Sequence, residues 1–532
     1  MRSAVTTAVA AAAPERYVLA RPDSALLRLL LALLAGALLA TSFAPLDLWP
    51  LAVLAPATLM WLWQDATPRE AARLGFWFTF ATFAAGTYWL YISIHGFGGA
   101  PLWLAFSLML GLVGIMGLYH AGLGYAVARW LPQRGVARWL VALPAAWLLV
   151  EWWRGWFLSG FSWLSLGYSQ TDTWLAGFAP IAGVYGVSAL LLLCAGALTA
   201  LVCGGARVRV VAAVTLIVPW AAGAALYRHS WTQPSGPAVS VAIVQGAIPQ
   251  DEKWLEKNRD TTLNLYQSLT EKVLGTDLIV WPESAPADTA NDLIPYISHL
   301  YREARAQGSA LVIGVLRADA DPHDPGATRY YNSVLALDDS KASWYDKHHL
   351  VPFAEFFPVP QFVRSWLRLM SLPYSDFTPG AARQRPLAAA HLQLGTTVCY
   401  EDAYGSSMLT VLPRADALVN VTNDAWFGHS SARHQHFQIA RMRALEAGRY
   451  MVRAANDGIS ALIGPHGEVI ARAPEFKPVA LVSKIVPYGG LTPYARVGNW
   501  LVVSLATLAL AYGVWVRNDR GRRPPGWRAS ID

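Results

Sequence analysis

Long apolar runs fill the chain from about residue 24 to 227, whereas residues 238–485 alternate short apolar runs with longer polar stretches. A helix needs roughly 20 apolar residues to cross a bilayer. Seven such runs precede the polar region and one follows it. They predict eight transmembrane helices, at roughly 25–42, 49–64, 74–94, 102–128, 138–153, 178–203, 208–227 and 498–516.

The polar region has the pattern of a soluble α/β domain. Its apolar, β-rich runs predict strands, and its amphipathic stretches predict helices between them. Near-continuous apolar strands are typical of sheets covered on both faces, so we expect a layered fold. The predicted strands are 241–248, 277–284, 310–316, 332–338, 393–401, 417–424 and 459–465, and the predicted helices are roughly 252–274, 289–307, 405–412 and 431–449.

Composition and charge predict how the apolar helices are oriented in the membrane. Only 14% of the 532 residues are charged and 24 are Trp, whereas a soluble protein is about 25% charged. The formal charge of +7 is mostly Arg, concentrated in alternate connections and both tails. The positive-inside rule then places both termini in the cytoplasm and the polar region in the periplasm of a Gram-negative inner membrane. No basic run with interleaved aromatic residues indicates nucleic acid.

Five segments follow from this reading. They are a cytoplasmic N-terminal segment (1–23), a seven-helix membrane domain (24–227), a periplasmic catalytic domain with its linkers (228–497), an eighth transmembrane helix (498–516) and a cytoplasmic tail (517–532). The first apolar run is interpreted as a retained helix, because no convincing signal-peptidase site follows it.

Three polar residues stand at the ends of predicted strands. They are Glu283 in WPES, Lys347 in YDKHH and Cys399 in VCYED. A thiol needs a base to attack a carbonyl, and a fixed ammonium can hold the negative charge that develops. Each residue alone has a plainer interpretation: Cys399 as a core residue, Glu283 as a helix cap and Lys347 as a solvated lysine. Cys194 and Cys203 lie in an apolar helix as buried thiols, and Cys399 has no cysteine near it, so a disulfide framework is excluded.

The motifs WPES, YDKHHLVPFAE and VCYED together resemble the Glu-Lys-Cys signature of the nitrilase, or carbon–nitrogen hydrolase, superfamily. With the surrounding apolar helices, EWWRG, GFSWLSLGYSQ and VQGAIPQDEKW, the chain resembles the apolipoprotein N-acyltransferase family. The resemblance implies an extracytoplasmic αββα sandwich with Glu283 as general base, Lys347 as transition-state stabiliser and Cys399 as nucleophile. GFSW at 160–163 departs mildly from the GFPW of some members.

The same resemblance implies supporting roles for four more residues. The backbone N–H of Tyr400 would complete the oxyanion site, Glu355 would orient the triad, and Trp254 and Glu401 would lie around the active site. Packing or turn-capping roles remain open for all four. Glu151 and Arg154, near a helix end, fit either a lipid head-group site or a structural ion pair.

The activity implied by the resemblance is transfer of a fatty acyl chain in two steps. Cys399 takes the chain from a membrane phospholipid as a thioester, and the free α-amino group of a diacylglyceryl-cysteine on an apolipoprotein then accepts it. No cofactor or metal is expected, and the enzyme is expected to be a monomer. The apolar segment 352–377 is expected to dip into the lipid interface or to pack on the domain.

Two other functions fit parts of the sequence. A membrane-tethered amide or nitrile hydrolase would use the same triad with water as the acceptor, although eight helices exceed what a tether needs. A transporter or scaffold with an inactive domain would need internal symmetry and charged midplane residues. No inverted repeat is evident, and the triad residues are intact.

Overall fold

The computed structural model describes residues 20–522 except for 340, 353 and 357–376. Much of the apolar segment 352–377 therefore lies outside the described residues. The predicted helices of the membrane half all form. They are α1 (Ala25–Ala40), α2 (Leu51–Leu62), α3 (Pro68–Gly86), α4 (Leu102–Trp130), α5 (Leu143–Arg154), α6 (Ala179–Cys203) and α7 (Ala206–Tyr227), with α8 (Trp500–Arg522) after the soluble half.

Four helices in the described part of the chain are long and apolar enough to span a membrane: Leu102–Trp130, Trp174–Cys203, Ala206–Tyr227 and Trp500–Asp519. The other four are shorter or more polar. The third differs from its predicted bounds, because Thr67 caps its first turn by accepting a hydrogen bond from the Glu70 N–H and Pro68 occupies its first position, an arrangement that favours helix initiation. It ends at Gly86, and two short helical segments, Trp89–Tyr91 and Ile92–Phe97, follow it.

Small residues let the helices of the membrane half approach closely. A Cβ on Gly36 of α1 would overlap the carbonyl of Phe78 in α3, and one on Gly75 of α3 would overlap the carbonyl of His120 in α4. Packing of this kind holds helices together in lipid, where hydrophobic burial between helices contributes little.

The soluble half contains two six-stranded sheets. The strands are β1 (Gln233–Pro234), β2 (Val239–Gln245), β3 (Leu278–Trp281), β4 (Ala310–Asp321), β5 (Asp324–Asp338), β6 (Lys341–Asp346), β7 (Leu387–Ala389), β8 (Leu392–Val398), β9 (Ala417–Thr422), β10 (Met451–Ala455), β11 (Ala461–Ile463), β12 (Val469–Arg472), β13 (Val479–Ile485) and β14 (Tyr488–Gly489). In the first sheet the order is β13-β2-β3-β4-β5-β6, and in the second it is β12-β11-β10-β9-β8-β7. The short strands β1 and β14 pair separately.

The sheets pack face to face, with a layer of helices outside each. One apolar core, which includes Val280 and Val419, fills the space between the sheets. The outer face of the first sheet is covered by αA (Arg259–Glu271) and αB (Ile294–Ala306), and that of the second by αC (Ala432–Ala447). This αββα arrangement agrees with the predicted layered fold.

Helix αC is buried on nearly every side. Phe437 and Ala440 belong to the core against the second sheet, whereas Ile439 and Met442 belong to the core of the membrane half. A helix whose side chains are apolar or hydrogen-bonded on every face is one that the rest of the protein encloses. Helix αC therefore joins the two halves of the molecule.

Candidate active site

Glu283 lies two residues after β3 and is only 7% exposed. Its Oε1 accepts a hydrogen bond from Asn332 Nδ2 at 2.7 Å, and its Oε2 accepts one from the backbone N–H of Asn423 at 2.8 Å. The ammonium of Lys347 is 3.5 Å from Oε1. The carboxylate is therefore fixed from three sides.

Lys347 follows β6 directly and is 1% exposed. Its backbone N–H donates to the Asn332 carbonyl at 2.8 Å, and its Nζ donates to Glu355 Oε1 at 2.9 Å. Burial alone would lower the pKa of this ammonium, but the charges of Glu355 and Glu283 raise it well above its usual value. Lys347 is accordingly a permanent cation in the site.

Cys399 is the first residue of a short helical turn, Cys399–Ala403, which begins where β8 ends. Its φ of 52° lies in the left-handed region that side chains seldom adopt, and such strain is common at functional sites. Burial, and then the charge of Glu283, raise the pKa of the thiol well above its usual value, while Lys347 and a hydrogen bond with Thr422 act in the opposite direction. A partly buried thiol with a raised pKa needs a base before it can attack.

The structure thus brings Glu283, Lys347 and Cys399 to one place from three different strand ends. Glu355 joins them, since it binds Lys347 through Oε1 and the Val351 N–H through Oε2 at 2.9 Å. This placement suits the orienting role that the sequence resemblance implies for Glu355.

Two neighbours of Glu283 were missed by the sequence analysis. Asn332, on β5, donates from Nδ2 to both Glu283 and Glu355, at 2.7 and 2.9 Å. Lys253 is 1% exposed, and its Nζ donates to the Glu283 carbonyl at 3.2 Å. Burial lowers the pKa of Lys253 to about 8, against the opposing effect of Glu283. Neither residue stands at the end of a predicted strand. Lys253 does lie within VQGAIPQDEKW, so its place in that motif was the available signal, whereas Asn332 had none.

Glu401 is an organiser of the backbone around the nucleophile. Its Oε1 accepts from the N–H groups of His348 and His349 at 2.7 and 3.0 Å, and its Oε2 accepts from the Val398 N–H at 2.8 Å and the Tyr345 hydroxyl at 3.0 Å. This single side chain ties the segment after β6 to the end of β8.

Tyr400 points towards the membrane half. Its ring stacks on that of Trp163, with the ring centroids 6.0 Å apart. Two hydrogen bonds join the same segments. Ser162 Oγ donates to the Ala403 carbonyl at 3.0 Å, and the Tyr404 hydroxyl donates to the Ser159 carbonyl at 2.8 Å. The turn that carries the nucleophile therefore rests on the connection between α5 and α6. The Trp254 side chain, by contrast, is 50% exposed.

Glu151 and Arg154 are both buried near the end of α5. Glu151 Oε2 accepts from the Leu166 N–H at 3.1 Å, while Arg154 donates to the carbonyls of Phe161 and Trp163 at 2.5 and 2.8 Å. These bonds shape the segment that contacts Tyr400. Lipid contact by the pair stays a prediction.

Among the described residues, no group of three or more His, Cys, Asp or Glu side chains is placed to hold a metal ion.

Comparison with known proteins matches each half of the chain to a protein family. Residues 240–486 match the family model described as carbon-nitrogen hydrolase, so the soluble half has the nitrilase-like fold that the sequence resemblance implied. Residues 35–197 match the apolipoprotein N-acyltransferase N-terminal domain. The chain belongs to the apolipoprotein N-acyltransferase family.

Relatives named apolipoprotein N-acyltransferase match nearly the whole chain. The protein of Methylococcus capsulatus is 40% identical over 90% of this chain and 94% of its own length. The protein of Pseudomonas putida is 40% identical over 91% of this chain and 96% of its own length. The protein of Chromobacterium violaceum is 40% identical over 95% of this chain and 98% of its own length. Among solved structures, a carbon-nitrogen hydrolase from Helicobacter pylori is 16% identical, with a TM-score of 0.34 over 54% of this chain and 99% of that chain.

Proposed function

We propose that the chain transfers a fatty acyl group from a membrane phospholipid, through a thioester on Cys399, to the free α-amino group of the diacylglyceryl-cysteine of an apolipoprotein. Membership of the apolipoprotein N-acyltransferase family supports lipoprotein N-acylation. The observation that carries the proposal is the position of the Cys399 turn. It packs through Tyr400 and Tyr404 against the membrane half, where substrates anchored by acyl chains lie.

In the first half-reaction, the Glu283 carboxylate takes the proton of the Cys399 thiol and the thiolate attacks the phospholipid ester carbonyl. A C–S bond forms, and the carbonyl oxygen becomes negative. Lys347 Nζ and the Tyr400 N–H stabilise that oxyanion. The ester C–O bond then breaks, Glu283 returns the proton to the departing oxygen, and lysophospholipid leaves.

In the second half-reaction, the amine of the acceptor attacks the thioester carbonyl. Glu283 removes a proton from the attacking nitrogen, and the same two donors stabilise the second oxyanion. The C–S bond breaks, the amide forms and the thiol is regenerated. The ester of the donor provides the acyl group in activated form, so no nucleotide or other cofactor enters this scheme.

The electrostatics of the site suit this sequence of steps. Glu283 and Glu355 face one ammonium, that of Lys347. The ammonium of Lys253 lies at the Glu283 carbonyl as a second cation. Transfer of the thiol proton to Glu283 moves the negative charge of the carboxylate to sulfur, and the attack moves it on to the oxyanion beside Lys347. One negative charge therefore passes from the base to the nucleophile and then to the oxyanion, where the ammonium of Lys347 stabilises it.

We also propose the topology that the charge pattern favours. The eight helices α1–α8 would span the inner membrane, with 24–227 as the membrane domain and 228–497 in the periplasm. Residues 1–23 and 517–532 would be cytoplasmic, 498–516 would form the last span, and the enzyme would act as a monomer. The arginines in alternate connections support this orientation.

The test is intact-protein mass spectrometry after exposure to a phospholipid with an isotopically labelled acyl chain. We expect an added acyl mass that maps to Cys399, is released by hydroxylamine and passes to a diacylglyceryl peptide with a free amine. Cys399→Ala should abolish the adduct, whereas the matched control Cys203→Ala, which removes a buried thiol in α6, should keep it. If no adduct forms in active membranes while a soluble amide is cleaved, the tethered-hydrolase alternative replaces this proposal.

A further inference from the structure

Four charged side chains are buried together behind the Cys399 turn. His436 on αC lies between two carboxylates, with Nδ1 2.8 Å from Asp424 Oδ1 and Nε2 3.0 Å from Asp402 Oδ1. Arg453 on β10 donates to the same two residues, to Asp402 Oδ2 at 3.2 Å and to Asp424 Oδ2 at 3.0 Å. All four residues are at most 1% exposed. A buried charge must be paired to be tolerated, and here two cations face two anions.

The hydrogen-bond partners of His436 show which protons it carries. Nδ1 faces a carboxylate, and Nε2 faces a carboxylate and, at 3.3 Å, the backbone carbonyl of Cys399. Because these partners are acceptors, both ring nitrogens must be donors, which is the imidazolium form. Burial would lower the pKa of His436, but Asp402 and then Asp424 raise it to about 9 against the opposing charge of Arg453.

The contact with the Cys399 carbonyl matters because of the peptide bond that follows. The C=O of Cys399 and the N–H of Tyr400 belong to the same rigid, planar unit and point in opposite directions when the peptide is trans. Donors that hold the carbonyl therefore fix the direction of the N–H. They also polarise the peptide and make that N–H a stronger donor. Asn420 supplies a second donor, with Nδ2 3.3 Å from the same oxygen.

We propose that His436 is a positioning residue for the oxyanion site, which acts by holding the Cys399 carbonyl so that the Tyr400 N–H faces the reacting carbonyl oxygen. The inference rests on the proposed function, because it assigns the Tyr400 N–H its role there. His436 does not touch the substrate in this scheme. Its effect passes through one peptide unit.

The two ring nitrogens allow a test by conservative replacement. The amide nitrogen of His436→Gln can occupy the place of Nε2 and still donate to the Cys399 carbonyl. That of His436→Asn reaches only the place of Nδ1, towards Asp424. Both variants remove the ring and its charge, so a role in charge balance alone would affect them equally. Asn also leaves the larger cavity at this buried position, so thermal unfolding is measured on both variants to separate a packing loss from a positioning loss.

The experiment measures the rate of acyl-enzyme formation from labelled phospholipid in a single turnover, using the full chain in detergent or vesicles. We expect His436→Asn to lose roughly ten- to a hundredfold in this rate, and His436→Gln to recover most of the loss. Alkylation of Cys399 by iodoacetamide forms no oxyanion, so its rate should stay within about threefold in both variants. His434→Asn is the matched control. It lies two residues away on αC, and its ring contacts Arg433.

Equal losses in the Asn and Gln variants, or parallel losses of acylation and alkylation, would overturn the inference. If His436→Asn fails to fold, Asn420→Asp serves instead. It is isosteric, keeps the acceptor for Arg453 at 2.6 Å and removes the second donor to the Cys399 carbonyl. Because it also adds a buried negative charge and removes the donor to Thr397, the rate of alkylation by iodoacetamide is again the control. Unchanged acylation in that variant would also refute the inference. Absence of any acyl adduct in the wild-type chain would instead refute the proposed function itself.

Discussion

Replacement of Asn332 by Ala tests whether the base and its neighbours work as one cluster. Asn332 is 5% exposed, and its Nδ2 lies 2.7 Å from Glu283 Oε1 and 2.9 Å from Glu355 Oε1. The Ala variant removes both hydrogen bonds and leaves the Glu283 and Glu355 carboxylates sharing the ammonium of Lys347. We expect Glu283 to lose its fixed position relative to the thiol.

The magnitude follows from the partners that remain. A hydrogen bond to a charged group is worth about 1.5–3 kcal/mol. Glu283 keeps the Asn423 N–H, and Glu355 keeps Lys347 and the Val351 N–H, so the two losses should not add fully. A net loss of about 2 kcal/mol in transition-state stabilisation corresponds to roughly a thirtyfold slower acylation of Cys399.

The assay is single-turnover acylation followed by mass spectrometry, with thermal unfolding measured on the same samples. Ser333→Ala is the matched control, because Ser333 is the next residue of β5 and its hydroxyl bonds the Asp346 carboxylate at 2.7 Å instead of Glu283 or Glu355. A normal acylation rate in Asn332→Ala, or an equal loss in Ser333→Ala, would refute the reasoning.

Three further outcomes are expected. Glu446→Ala should lower stability by about 3–5 kcal/mol, seen as a lower melting temperature, because Glu446 accepts from the Val184 N–H at 2.6 Å and pairs with Arg443 at 3.0 Å; an unchanged melting temperature would contradict the pairing. Glu401→Gln should slow acylation about tenfold, since an amide nitrogen cannot accept the N–H groups that the carboxylate holds; a normal rate would remove Glu401 from the organising role. The pKa of His436 is raised to about 9 from an ordinary 6.5, so its stabilising effect is complete below about pH 6.5 and is lost as the pH rises through 9. The stability difference between wild type and His436→Gln should therefore shrink over that range, and a constant difference would contradict it.

The chemical residues of the site were more predictable than its supports. Glu283, Lys347 and Cys399 stand at strand ends next to distinctive motifs, and strand ends meet at sheet edges. Strand β10 was missed, because Arg453 interrupts its apolar pattern. Its charge is compatible with a buried strand only through Asp402 and Asp424, which lie 51 and 29 residues away along the chain. No local pattern contains that information.

The membrane half shows the same limit. Apolar runs predicted where its helices lie, but not that the connection after α5 would support the nucleophile. That contact arises from Arg154, which donates to the carbonyls of Phe161 and Trp163 and so folds the connection back. From sequence, a charged pair at a helix end fits lipid binding and structural pairing equally well.

Helix αC has a consequence for how sequences in this family can change. Gln435 accepts hydrogen bonds from Trp89 and Trp163 of the membrane half, Gln438 donates to Asp47, and Arg441 pairs with Asp172. The neighbouring positions on the helix contact the catalytic sheet. A substitution on one side of this junction thus alters the fit on the other, so the two halves are expected to evolve as a unit. A hybrid that joins the membrane half of one relative to the catalytic half of another should require αC and the segments it contacts to come from the same parent.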